Sequence, residues 1–319
     1  FRILLVNKMD FHNSKNQVSY SPSICVVLIN WNQLQLTMDC LESLYAMSYT
    51  NFKVVVVDNN SKEDPTDQII SRFDQVVILR QEENLGFAEG NNVGFRYAYN
   101  NNFDFIMALN NDTVVDPDFI WPLVEAFDNE DLQLTAATPK IYFKHLPNTI
   151  WALGGKVNFL KLKGQSNYRK TPDRGQFEAP FNPDYITGCC LLIKASVLKS
   201  MSGFNKDYFA YYEDTDLSFR LREKGYKLQV IPQSKIWHVA GGSSRATKKK
   251  PPFLTFLGAR NRVMFFRRHT TGLQRIYVTT YLVFDTCVDA LFHLLIFKPT
   301  HAKEYLKGLI QGLKYNHEL

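Results

Sequence analysis

Three carboxylates fall within four residues at Glu213-Asp214-Thr215-Asp216. A carboxylate that is ionised at neutral pH and within hydrogen-bond reach of a hydroxyl can take its proton as a general base. The same residues suit a helix start, with Asp214 as N-cap and Asp216 in a first turn that favours negative charge. The two roles are compatible, because a cap holds its side chain rigidly at the helix mouth. A second group, Asn110-Asn111-Asp112, offers one carboxylate and two amide oxygens. Such ligands suit a hard divalent cation, and equally an Asx-rich turn ahead of Pro117. Asp58 closes an apolar run, where its carboxylate can accept from the ring N–H of a uracil or thymine, with Asn30 and Asn32 nearby; DNNS also reads as a plain turn.

Asn84, Gly86, Gly90 and Asn91 lie in NLGFAEGNN, at the start of a helix. Glycines permit close backbone approach to a ligand, and helix N-termini favour phosphate. His238 stands before a Gly-Gly pair and reads either as a ligand or as a packed ring beside a Trp. Trp31, Trp151, Tyr211, Tyr212 and Trp237 are candidate stacking faces for sugar rings, although most aromatic residues in such a chain belong to its core.

The elements that must position these residues alternate between apolar runs and helical patterns. Residues 24–29, 53–57, 76–79 and 103–109 read as buried strands, and Leu34, Met38, Leu41 and Tyr45 recur at helical spacing. Such alternation predicts βαβ units and a mostly parallel sheet flanked by helices, an α/β fold. Ligands bind at the carboxyl ends of the strands in open α/β sheets, so Asn30, Asp58, Asn84 and Asp112 should gather on one edge. Beyond Pro139, a hairpin is expected over 150–162, a strand over 187–193 (TGCCLLI), a helix closed by Gly225 and a strand over 227–232.

An apolar fraction of 45% and an aromatic fraction of 14% describe a packed globular chain. The five cysteines follow no metal-ligand spacing and suit a reducing cytosolic setting. The opening FRILLVNKMD is too short and polar for a signal peptide. Residues 241–319 hold 13 Lys and Arg against 4 Asp and Glu, so the net +6 charge divides into a +9 tail and a −3 body. No nucleic-acid-binding motif accompanies that charge; an anionic membrane surface fits the aromatic-rich tail better. Residues 273–297 are long enough to span a bilayer, but Asp285 and Asp289 interrupt them. An interfacial helical pair is therefore expected, with Arg260, Arg262, Arg267 and Arg268 at headgroup level. A soluble helical hairpin packed on the body is the alternative. Three regions result: an extension 1–22, a catalytic domain 23–240 and a basic helical tail 241–319.

The ordered set VVLINWN, VVVVDNNS, NLGFAEGNN, LNNDT, TGCCLLI, YYEDTDLSFRL and IWHVAGGS resembles the family 2 inverting glycosyltransferases of GT-A fold, over roughly residues 23–240. Among them it is most similar to bacterial rhamnosyltransferase-like members of cell-surface polysaccharide synthesis. The resemblance implies Asp214 as base with Glu213 as fallback, and Asp58 on the nucleobase. It places Asn30, Asn32, Asn84, Gly86, Asn91, Asn110 and Asn111 around the donor. Asp112 and His238 would hold Mg2+ or Mn2+, although Asn110 replaces the first Asp of the family's DxD motif. Thr187, Gly188, Tyr212 and Trp237 fall on the acceptor side. The implied donor is dTDP-L-rhamnose, with a UDP-hexose or UDP-N-acetylhexosamine as rival. The implied acceptor is a lipid-linked or other saccharide, met by a cytoplasmic protein peripheral to the inner membrane face. A non-catalytic nucleotide- or sugar-binding protein on the same scaffold is the alternative of another class.

Overall fold

The computed structural model describes residues 21–128, 133–239 and 251–315. Most of the extension 1–22, and the expected linker SSRATKKKPP up to residue 250, lie outside them.

Strands β1 (Ile24–Asn30), β2 (Phe52–Asp58), β3 (Val77–Arg80) and β4 (Phe105–Asn110) form the parallel half of a nine-stranded sheet, in the order β3-β2-β1-β4. The apolar runs of β1, β2 and β4 are buried on both faces, as strands covered by helices on either side must be, while the edge strand β3 is only partly buried. Successive side chains point to opposite faces, so one sequence feeds two cores. Val26, Leu28, Val54, Val56 and Met107 pack on one side; Val27, Val55, Val57, Ile106 and Ala108 pack on the other. Helices α1 (Leu34–Tyr45), α2 (Thr66–Ile70) and α3 (Gly86–Asn100) make the crossovers.

After β5 (Thr113–Val115) and α4 (Ile120–Asp128), the sheet becomes mixed. Strand β6 (Leu134–Phe143) is buried along its whole length, and β7 (Leu146–Ala152) folds back onto it. The expected hairpin over 150–162 is displaced: residues 150–152 belong to β7, and the hairpin proper joins β8 (Gly155–Asn158) to β9 (Lys163–Ser166). Strand β10 (Cys190–Lys194) inserts antiparallel between β4 and β6. Thr187–Cys189 thus lie ahead of the strand instead of within it. Helices α5 (Ala195–Ser200) and α6 (Glu213–Glu223) precede β11 (Lys227–His238), one strand of 12 residues. It crosses Pro232, which has no N–H to give, through a register shift between Ile231 and Lys235.

Three helices, α7 (Pro252–Arg268), α8 (Gly272–Leu295) and α9 (Pro299–Lys314), complete the molecule. Val263, Phe265 and Phe266 of α7 pack with Tyr208 and Leu162, so the tail is joined to the body by an apolar cluster. The expectation that the tail arginines meet headgroups is corrected by their partners. Arg260 donates to the Asp207 and Tyr208 carbonyls, and Arg262 to the Leu162 carbonyl and Asp285. Arg267 donates to the carbonyls of Gly312 and Leu313, and Arg268 pairs with Asp216.

Candidate active site

The carboxyl ends of β1, β2 and β4 lie side by side, with Asn30 opposite Asp58 and Ile29 opposite Asn110. Asp58 has no exposed surface. Its carboxylate accepts from Asn30 Nδ2 at 2.7 Å, from the Ser61 amide and hydroxyl, and from Arg80 Nη1 at 3.0 Å. As placed, Asp58 anchors the strand end and offers no open acceptor. Asn30 is spent equally, with its Oδ1 accepting from Thr37 Oγ1. Asn32, exposed and at a φ of 56°, accepts from the Lys62 amide and remains at the open edge.

The glycine-rich segment is explained by the protein's own backbone. Gly86 has a φ of 77°, and a Cβ there would lie 2.6 Å from the Phe209 carbonyl. Its small size is thus required by the turn before α6, where the sequence suggested a phosphate. Asn84 caps the Gly86 amide, and Asn91 donates to the Phe87 carbonyl within its own helix. Asn91 is therefore buried and engaged within its own helix.

At the β4 end, Asp112 Oδ1 and His238 Nε2 approach to 2.9 Å, both nearly buried. β11 delivers the His by pairing His238 with Thr113. Asn110 Nδ2 stands 3.5 Å from the same imidazole nitrogen, while Asn110 Oδ1 is buried without a partner. Asn111 donates instead to Thr37. One carboxylate, one imidazole and one orphaned amide oxygen fit a divalent cation that takes its remaining ligands from phosphate and water. Among the described residues no group of three or more His, Cys, Asp or Glu is gathered, so the protein supplies only part of such a shell.

Beside this pair opens a cleft of about 280 Å³, lined by Trp151, Ala152, Gly154, Gly164, Ser166, Tyr185, Thr187 and Tyr211–Thr215. The Trp151 ring meets His238 edge-on at 4.3 Å, so the cleft and the Asp112–His238 pair share a wall. Asp214 is half-buried there. Its Oδ2 accepts the Gly188 N–H at 2.8 Å, and its Oδ1 accepts the amide and hydroxyl of Thr215. Burial raises its pKa, against the pull of those donors. Glu213 is buried with Oε2 unpaired; burial first, and the neighbouring Asp214 charge second, raise its pKa well above the usual carboxylate range. Asp214 is thus the carboxylate that reaches the cleft, and Glu213 the one whose proton burial favours. The N-cap position belongs to Tyr212, not Asp214.

The segment Thr187–Cys189 links the two halves of the site. Gly188 holds Asp214, while the Cys189 carbonyl accepts the Asn110 amide at 2.9 Å. Of the aromatic candidates, Trp151, Tyr211 and Tyr212 line the cleft. Trp237 does not. Neighbouring residues of a strand point oppositely, so placing His238 toward Asp112 turns Trp237 onto Tyr142, its Nε1 donating to the Pro147 carbonyl. The acceptor-side position expected of Trp237 is not in the cleft, whose wall carries Trp151 instead. Tyr185, in an irregular stretch, and Ser166, at the end of the short polar strand β9, carried no sequence signal. The Tyr185 ring lies where a Cβ on Gly155 would be, 2.1 Å away, so only glycine admits it.

The family model for "Glycosyl transferase family 2" matches residues 25–201. The poly-beta-1,6-N-acetyl-D-glucosamine synthase of Staphylococcus aureus is 25% identical over 218 residues, 67% of this chain and 49% of that protein. The O-antigen biosynthesis protein RfbC of Myxococcus xanthus is 24% identical over 237 residues, 71% of this chain and 18% of that protein. The chain therefore spans about half or less of the length of these curated relatives. Among solved structures, the mannosyltransferase PcManGT of Pyrobaculum calidifontis, in complex with GDP-Man and Mn2+, superposes with a TM-score of 0.56 at 13% identity. It covers 92% of this chain and 88% of that one. GalNAc-T7 with UDP, GalNAc and Mn2+ gives 0.57 at 17%, covering 69% and 44%. The structural likeness is one of fold, and the sequence match, extending over more than half of the chain, is one of family: the chain belongs to glycosyl transferase family 2.

Proposed function

We propose that the protein transfers a sugar from a nucleoside diphosphate donor to a saccharide acceptor, lipid-linked or free, with inversion at the anomeric carbon. The observation that carries this reading is Asp214: a carboxylate fixed by the Gly188 N–H at the wall of a cleft that also touches the Asp112–His238 pair. Asp214 takes the proton of the acceptor hydroxyl as that oxygen attacks the anomeric carbon from the face opposite the leaving diphosphate. Glu213 lies beside it, and burial favours its protonated form. Trp151 and Tyr212 offer ring faces to the acceptor sugar.

Asp112, His238 and the Asn110 amide oxygen would hold Mg2+ or Mn2+, whose charge neutralises the diphosphate as it departs. The donor side is the edge formed by Asn32, Asp58 and Asn84. A ring N–H reaches Asp58 by replacing Arg80, the partially exposed one of its present partners. The motif resemblance favours dTDP-L-rhamnose, and the synthase relatives favour a UDP-N-acetylhexosamine; both donors present a pyrimidine N3–H. The protein would work at the inner face of the cytoplasmic membrane, with α8 against the lipid. Only about a fifth of the apolar stretch of that helix is covered by protein, while Ile276, Phe284, Val288, Leu291 and Leu295 are open.

The test is release of nucleoside diphosphate from dTDP-rhamnose, UDP-glucose and UDP-N-acetylglucosamine. Each is incubated with Mg2+, Mn2+ or EDTA, with and without a lipid-linked acceptor extract. Metal-dependent release from one donor, abolished in Asp214→Asn, establishes the reading. A folded protein that binds nucleotide but stays silent with every donor favours the non-catalytic binding protein.

A further inference from the structure

We infer that Asn261 of α7 is a positioning residue, whose carboxamide holds the turn 208–212 in the shape that presents Asp214 to the acceptor. The inference rests on Asp214 being the base, as proposed above.

The turn enters α6 through a backbone that ordinary side chains avoid. Phe209, Tyr211 and Tyr212 have φ values of 62°, 72° and 75°, and none is glycine. Bulky residues in this region are strained and persist only where their surroundings impose them. The imposing group here is Asn261, which has no exposed surface. Its Nδ2 lies 2.8 Å from each of the carbonyl oxygens of Tyr208, Ala210 and Tyr211. Its Oδ1 accepts from Arg260 Nε at 2.9 Å, which settles which end of the amide faces the turn. Without it the Ala210 and Tyr211 carbonyls would lose this donor in a buried site, which is costly, while the Tyr208 carbonyl keeps the Arg260 guanidinium and the Ala210 amide.

The opposite side of the turn rests on the donor edge. The Phe209 carbonyl accepts the Ala88 amide at 3.0 Å, beside Gly86. The Tyr212 carbonyl accepts the Asp216 amide at 2.8 Å, which starts α6. One amide side chain from the tail therefore fixes the spacing between the α3 entrance and the base. Asn261 also lies beyond the segment that the family model matches, so the inference concerns a part of the chain outside that match.

Asn261→Ala and Asn261→Ser remove or shorten the donor, and Asn261→Gln keeps it on a longer stem. Thr255→Val, at a buried α7 residue paired with His301, is the control for a weakened helix. The first two variants should lose about 100-fold in kcat, the effect of misplacing a catalytic group by about 1 Å. Donor KM and nucleotide affinity should stay within about twofold, Asn261→Gln should recover part of kcat, and Thr255→Val should keep it. In the Ala and Ser variants, exchange of the backbone amides of 209–216 should accelerate ahead of the rest of the protein. A folded Asn261→Ala or Asn261→Ser enzyme with wild-type kcat overturns the inference. So does equal loss in Thr255→Val, or loss of donor affinity in step with kcat. Should the Ala variant not fold, Ser and Gln carry the same comparison. If wild-type enzyme releases no nucleoside diphosphate, the failure belongs to the proposed function; if wild type is active and only the variants disobey, it belongs to Asn261.

Discussion

Two adjacent carboxylates differ in what the fold allows them to do. Asp214 keeps part of its surface in the cleft and two sets of donors on its oxygens, whereas Glu213 is buried beside it with an unpaired oxygen. Asp214→Asn should reduce kcat by about 10²–10⁴-fold, the usual worth of a general base. Because burial raises the Asp214 pKa, the acidic limb of the kcat/KM profile should lie above the ordinary aspartate range. A limb at or below that range would refute the assignment. For Glu213 the sign runs through stability. Its folded pKa exceeds its unfolded one, so the protein loses stability as pH rises from the unfolded value through the folded one. Glu213→Gln mimics the neutral form and should match wild type at low pH and melt at an equal or higher temperature in mild alkali. Acceptor KM should separate Trp151 from Trp237. Trp151→Ala is expected to raise acceptor KM and, because the ring also packs on the core and on His238, to lower Tm as well. Trp237→Ala should cost about 3 kcal/mol of stability and leave acceptor KM alone.

Between elements, the decisive joint is that of α6 with α7. Asp216 sits two residues after Asp214 with no exposed surface, and pairs with Arg220 at 2.7 Å, His269 at 3.1 Å and Arg268 at 3.3 Å. Burial alone would raise its pKa, but the His269 hydrogen bond and the two guanidinium charges outweigh it and hold the carboxyl below the usual range. Asp216→Asn should cost about 3 kcal/mol, because it leaves buried cations uncompensated. The folded pKa is the lower one, so this contribution is complete above the unfolded value near ~3.9 and fades as pH falls through the folded value. The Tm gap between wild type and Asp216→Asn should therefore be constant at neutral pH and close in strong acid. A gap that widens in acid would remove Asp216 from this role.

Over the whole molecule, the tail divides into an inner and an outer layer. Helix α7 is largely buried, and α8 touches its neighbours through Val278, Leu282, Thr286 and Ala290, four residues apart. Asp285, which interrupted the apolar stretch in the sequence, turns inward to Arg262. The outward face holds Ile276, Phe284, Val288, Leu291 and Leu295, with Arg275 and Lys298 near the two ends. Such a face suits the interfacial plane of a bilayer with anionic lipid. Full-length protein should co-float with vesicles containing anionic lipid. The double variant Phe284→Asp, Leu291→Asp should lose at least tenfold in binding while keeping release from soluble donor. Unchanged flotation would leave this face without a lipid role.

The chain's own pattern determined a good deal. Apolar runs in β1, β2 and β4 and the polar residues closing them announced a sheet with its ligand edge at the carboxyl ends, because strand burial and strand-end chemistry are local properties. The acidic group 213–216 was likewise visible as residues. Strand β6 was not, since Thr138-Pro139-Lys140 breaks the apolar pattern although the sheet buries every position; Lys140 is reconciled with burial by Asp173 at 2.7 Å. Tertiary structure alone decided that Trp237 faces away while Trp151 faces in, since strand parity depends on which neighbour is fixed first. It also decided that Gly86 makes room for Phe209, that Asp58 is saturated by Asn30, Ser61 and Arg80, and that the tail arginines are spent on carbonyls and carboxylates. Apart from the local Asp58–Ser61 bond, each depends on groups about twenty to well over a hundred residues apart coming into contact. A sequence lists such donors and acceptors, but only packing pairs them.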